Sequence, residues 1–183
     1  MWWPNTRILA RFAAVLALAG LTAGCFQPLY GDHPIGGPAL GPKLAGVQVN
    51  EIKAANGSRI ARVGVEVRDQ LIFGLTGGAT APTPNYRLDV SLTATQLQVI
   101  VDVTSARPEI QNYGIDATYT LVDLKTGKSV LPGRTFSRVS FNIPGQEQRF
   151  SGARGQRDAE DRAAKVIAEQ IRNRLASYFV AGT

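Results

Sequence analysis

Cysteine, histidine and methionine each occur once in the 183 residues. A single cysteine, Cys25, excludes an internal disulfide. The single histidine, His33, lies in a stretch rich in glycine and proline and has no nearby partner. A histidine metal cluster and a Ser-His-Asp set are therefore both excluded, and a hydrolase would lack its usual general base. Gly36-Gly37 and Gly77-Gly78 are not followed by a Lys-Ser/Thr pair, so neither is a phosphate-cradling loop. An uninterrupted apolar run of about 20 residues, the length a membrane-crossing helix needs, is also missing. The formal charge of +6 is modest and spread along the chain, and no nucleic-acid partner is expected.

The beginning of the chain has a definite order. Arg7 and Arg11 come first, then an uncharged apolar run from Phe12 to Leu21, then Thr22-Ala23-Gly24 and Cys25. Basic, apolar, small, cleavage site is the order of a secretory signal peptide. A cysteine directly after the small residues is a lipobox, with Leu21 four places and Thr22 three places ahead of it. The expectation is that residues 1–24 are removed. Cys25 then becomes the first residue and carries a covalent diacylglycerol and an N-acyl chain, an anchor far firmer than one chain gives. Loss of Arg7 and Arg11 lowers the net charge from +6 to +4. No other cofactor and no metal is expected.

Residues 25–43 contain Pro28, Pro34, Pro38 and Pro42 with several glycines and read as an extended tether. Residues 44–183 are enough for one domain with a real core. Leu44 to Ile52 reads as a strand. Asn56-Gly57-Ser58 supplies cap chemistry for a helix over 58–75, where Ile60, Val63, Val67, Leu71 and Leu75 recur at helical spacing. Tyr86, Leu88, Val90, Leu92 and Ala94 alternate with polar residues, the pattern of a half-buried strand. The apolar set then changes parity to Leu97, Val99, Val101 and Val103, which predicts a bulge or bend near 94–97.

Tyr113 to Leu121 alternates in the same way. Asp123 to Lys128 reads as a turn with Gly127 in the left-handed region, and Thr135–Ile143 as the returning strand. A long helix is expected from about 156 to 180, with Asp158–Arg162 among its i,i+4 pairs and Asp158, Glu160 and Asp161 as charges near its start. The fold class is therefore α+β, in the order β-α-β-β-β-α. It is a four-stranded mixed sheet with both helices packed on one face. The other sheet face is left without a covering element.

Three stretches carry a resemblance. They are Gly24-Cys25-Phe26-Gln27-Pro28-Leu29-Tyr30-Gly31, the run Tyr119 to Lys128, and Asp158 to Ala164 with Leu175 to Phe179. Together they resemble the LptE family of LPS-assembly lipoproteins, alphaproteobacterial type. The resemblance implies a non-enzymatic lipoprotein on the periplasmic side of the outer membrane. It would plug and help assemble an LptD-like β-barrel and bind lipopolysaccharide on its way to the cell surface. The competing expectation is a lipid-anchored periplasmic adapter that binds no lipopolysaccharide.

Lipopolysaccharide carries phosphate, so cations are the residues to seek. Lys125 and Lys128 lie in the predicted turn, with Arg134 and Arg138 on the returning strand. Arg134, Arg138 and Ser140 share parity and should point to the helix-free side, where they could meet lipid phosphates. Arg107, Arg149 and Arg154, at the opposite end of the sheet, are the next candidates.

Overall fold

The computed structural model describes residues 39–77, 83–102, 107–142 and 149–182. Cys25, the signal segment and most of the expected tether lie outside the described residues. Gly41–Thr183 forms one compact unit. The elements are α1 (Leu40–Ala45), β1 (Val47–Val49), α2 (Arg59–Thr76), β2 (Tyr86–Asp102), β3 (Arg107–Asp123), β4 (Ser129–Asn142) and α3 (Arg149–Ala181).

The sheet order follows the chain, β1-β2-β3-β4. β1 runs parallel to β2, and the other two pairings are antiparallel. The fold class is the expected one: a mixed four-stranded sheet with α2 and α3 as the packed layer. The additional short helix α1 takes in the end of the expected tether, Leu40 to Lys43, with Leu40 buried, and the first two residues of what reads in sequence as a strand from Leu44. The strand itself is confined to Val47–Val49, with both valines buried.

α2 begins where the sequence places its cap. Ser58 is extended, and its hydroxyl accepts from the amide of Ala61 at 3.2 Å. Val63, Val67, Leu71 and Leu75 form its buried stripe. In α3, Ala159, Ala163, Ile167, Ile171 and Leu175 are buried, joined by Ala164, Ala168 and Ala176. The small alanines let α2 and the sheet approach closely. The apolar residues Ala159, Ala163, Val166, Ile167, Ile171, Leu175, Tyr178 and Phe179 read in sequence as one stripe of this helix, and of these Val166 is exposed. Arg62 meets Glu160, and Gly74 lies against Arg172, so the two helices run parallel. Leu71, Leu88, Ile115, Leu121, Ile167, Ile171 and Leu175 are almost fully buried, each stabilising by about 1.5–3 kcal/mol.

The expected irregularity in β2 is present but displaced. Pairing with β3 is continuous from Tyr86 to Gln98, and the register shifts fall between Gln98 and Ile100 and between Ile100 and Val101. Leu97 and Val99 therefore keep the parity of Thr93 and Thr95 and stand exposed. The apolar pattern changes before the backbone does, because at this end the helices no longer cover the sheet: Ala94, Gln96 and Gln98 are exposed as well. β4 starts earlier than expected, at Ser129, and α3 earlier, at Arg149.

Candidate functional surface

The alternation of each strand separates two unlike sheet faces. On one, Leu88 and Val90 of β2, Tyr113, Ile115, Ala117, Tyr119 and Leu121 of β3, and Leu131 and Phe141 of β4 are buried beneath the helices. On the other stand Ser91, Thr93 and Thr95, then Thr118, then Pro132, Arg134, Phe136, Arg138 and Ser140, all exposed. Among the described residues no element covers this second face. It is rich in hydroxyl groups and carries one exposed aromatic ring and three arginines, the third being the half-exposed Arg87 of β2, paired with Asp89.

The four cations expected from sequence occupy this region but do not converge. Lys125 and Lys128 are held in the β3–β4 turn. Asp123 Oδ1 accepts from the Lys125 amide at 2.7 Å, and the Asp123 carbonyl accepts from the Gly127 amide at 2.8 Å. Gly127 adopts φ +68°, as its position requires. Lys125 also lines a cleft of about 520 Å³ with Lys43, Asn85, Tyr86 and Phe179. Arg134 pairs in register with Thr118, six residues up the strand from Lys128, or about 20 Å away. Arg138 is about 33 Å from Lys128 by the same rise per residue.

Arg138 is also the least available of the four. Its Nη2 donates to Asp116 Oδ2 at 2.8 Å, and its Nη1 donates to the carbonyls of Ile115 and Ser137 at 3.2 and 3.0 Å. Its Cζ lies 5.5 Å from the centre of the Phe136 ring. The residue opposite in register is Gly114, where a Cβ would fall 2.8 Å from Arg138 Cδ. The side chain lies flat on the sheet with its charge matched. Lys125, Lys128 and Arg134 have no ion-pair partner among the described residues. Of the alternative set at the other end of the sheet, Arg154 is exposed in α3; the side chains of Arg107 and Arg149 lie outside the described residues.

A polar cluster between the helices was not anticipated. Glu160 is 1% exposed, accepts from Gln156 Nε2 at 3.0 Å, and forms an ion pair with Arg62 of α2. Beneath it the Tyr113 hydroxyl is buried with no hydrogen-bond partner among the described residues. Burial, and then the neighbouring Glu160 carboxylate, push this phenol up to about 12. The sequence did contain a signal: Glu160 falls on the stripe of Ala164, Ile167 and Ile171, so it faces inward and not to solvent.

Among the described residues no group of His, Cys, Asp and Glu could hold a metal ion, and no helix is long and apolar enough to cross a membrane. The family model described as LptE, lipopolysaccharide-assembly, matches residues 44–175. No curated protein matches the chain. Several solved structures share the fold. A candidate lipoprotein from Caulobacter crescentus superposes with a TM-score of 0.60 at 20% identity, covering 77% of this chain and 96% of its own. The minor lipoprotein from Acinetobacter baumannii gives 0.53 at 15% identity, covering 72% and 90%. The rare lipoprotein B from Shewanella oneidensis gives 0.52 at 13% identity, covering 74% and 96%.

Proposed function

The chain belongs to the LptE lipopolysaccharide-assembly family, and from that premise we propose that it is an outer-membrane lipoprotein which plugs and helps assemble an LptD-like β-barrel. Its role is binding and assembly, not catalysis. Cys25 carries the diacylglycerol and N-acyl anchor after removal of residues 1–24, and the tether lets the domain stand off from the periplasmic side of the membrane. Lipopolysaccharide binds during its transport to the cell surface, with Lys125, Lys128 and Arg134 as its phosphate contacts. Arg138, matched by Asp116, contributes less.

The observation that carries this reading is the open sheet face. A sheet sealed on one side by helices and lined on the other with serine, threonine and arginine suits the polar interior of an outer-membrane barrel. A wholly apolar open face would suit lipid and not such a lumen. Depletion of the chain in its native cell tests the reading: levels of the barrel and of surface lipopolysaccharide should both fall. Unchanged levels of both would remove its support. Mass spectrometry of the mature N terminus tests the anchor separately, since a free thiol at Cys25 or an intact Met1 contradicts it.

A further inference from the structure

A second cleft, of about 540 Å³, opens between the first turns of α2 and the early part of α3. Its walls include Arg59, Arg62 and Arg157, with Gln156 beside them and Ala61 and Val65 as apolar patches. Arg59 and Arg62 stand three apart on one helix, close enough for like charges to repel. Arg157 faces the same space from the other helix. Such a gathering destabilises the fold unless an anion offsets it.

The protein supplies only part of that anion. Glu160 takes Arg62. Arg59 has a weak contact with the neutral Gln96, at 3.5 Å, and no ion pair among the described residues involves Arg59 or Arg157. Asp158 is paired with Arg162 at 2.7 Å; Glu66, which accepts from the neutral Gln70, and Asp161 are the other nearby acids, and neither lines the cleft. Three guanidinium groups and no acid line the cleft, and only Arg62 of the three has an ion-pair partner among the described residues. The N-terminal end of α2 adds its partial positive charge on the same side.

We propose that this cleft binds the phosphate group of a phosphorylated ligand, with Arg59 and Arg157 as direct contacts and Arg62 positioned by Glu160 at the cleft wall. A phosphate suits a cleft lined by arginines and no acid, and its several oxygens can accept from more than one guanidinium fork. Val65, 60% exposed, offers an apolar neighbour for the part of the ligand next to the phosphate. The phosphate can come from a lipid headgroup or from a soluble phosphate compound. The proposal stands apart from the barrel reading, because neither Arg59 nor Arg157 lies on the open sheet face.

The test is isothermal titration of the full-length chain, held in neutral detergent at low salt. The probes are inorganic pyrophosphate, micelles doped with phosphatidic acid, and micelles doped with phosphatidylcholine. Saturable binding of pyrophosphate alone identifies a soluble phosphate ligand. Binding of phosphatidic acid alone identifies a lipid headgroup, and binding of both identifies recognition through the phosphate itself. In each case Arg59→Glu with Arg157→Glu should weaken binding at least tenfold, while the matched charge change Lys165→Glu with Arg174→Glu, at exposed helix positions outside the cleft, leaves it unchanged. If circular dichroism shows the double Arg variant unfolded, Arg157→Gln alone, at an exposed position, should still weaken binding about threefold or more. No saturable binding of either phosphate probe, equal binding of phosphatidylcholine, or binding that survives the arginine substitutions overturns the proposal.

Discussion

Arg62 and Glu160 join the two helices across the layer interface, the carboxylate sealed from solvent and the guanidinium half exposed. The pair helps fix the axial setting of α2 against α3, because Glu160 stands on the otherwise apolar buried stripe of α3 and Arg62 reaches it from the edge of α2. Gln156 holds the second carboxylate oxygen.

Arg62→Ala leaves a buried carboxylate with only Gln156 for company. The expected loss is about 2–3 kcal/mol, below the full cost of breaking a wholly buried pair because Arg62 itself is half exposed. Adding Glu160→Met should recover most of that loss. Urea denaturation of the two variants measures it; an Arg62→Ala chain as stable as the parent would mean the pair is ornamental.

Tyr113 lies next to that pair with its hydroxyl unpartnered among the described residues. In the unfolded chain a tyrosine ionises near 10, whereas the folded Tyr113 holds its proton to about 12. Its stabilising effect is complete below pH 10 and is lost as pH rises from there to about 12, because only the unfolded state releases the proton. Tyr113→Phe should therefore flatten the alkaline fall in stability. Burial raises Tyr86 and Tyr119 in the same direction, so part of the slope remains. At neutral pH the same substitution should stabilise by about 1 kcal/mol, since it removes a buried donor without a partner. Thermal melts between pH 7 and pH 11 check both effects.

Tyr119 lies across Gly133, its register partner in β4, and a Cβ at that glycine would fall 2.3 Å from the ring. Gly133→Ala should cost about 1–3 kcal/mol through overpacking. In a Tyr119→Leu background the cost should shrink, and the difference is the coupling that a double-mutant cycle reads. Equal costs in the two backgrounds would show that the ring does not depend on the glycine.

Much of this architecture is legible in the chain itself. Period-2 alternation at Tyr86–Ala94 and Tyr113–Leu121 and the helical stripe Val63–Leu75 give both strands and α2, because Leu88 and Val90, Tyr113 to Leu121 and the α2 stripe each bury one face. Ser58 and Gly127 mark a cap and a turn through chemistry that is local. What depends on contacts distant in sequence is less legible. Leu44 reads as strand but is helical, since nothing nearby distinguishes a buried leucine in α1 from one in β1. Arg138 reads as a free cation, yet Asp116 across the hairpin claims it. Glu160 reads as a surface charge, although its spacing from Ala164 and Ile167 turns it inward.

The hairpin cations bear on lipopolysaccharide. Arg134→Glu with Lys128→Glu should weaken binding of lipopolysaccharide to the full chain several-fold at low salt, with a smaller effect at high salt, where exposed charges are screened. Stability should stay within about 0.5 kcal/mol, as both positions are exposed. Arg138→Glu should instead destabilise the fold, because it places a second carboxylate beside Asp116. Unchanged lipopolysaccharide binding by the folded Arg134/Lys128 variant would move the contact away from this edge.

The central claim is the barrel complex, and recovery of the tagged full-length chain from outer membranes in mild detergent tests it most directly. Quantitative mass spectrometry should find an LptD-like barrel in one-to-one ratio with the chain. Replacing Thr93, Thr118 and Arg134 on the open face with bulky tryptophan should lower that yield, while tryptophan at the exposed helix position Glu169 should not. Recovery of the chain without a barrel partner, or a yield indifferent to the open-face substitutions, would contradict the account.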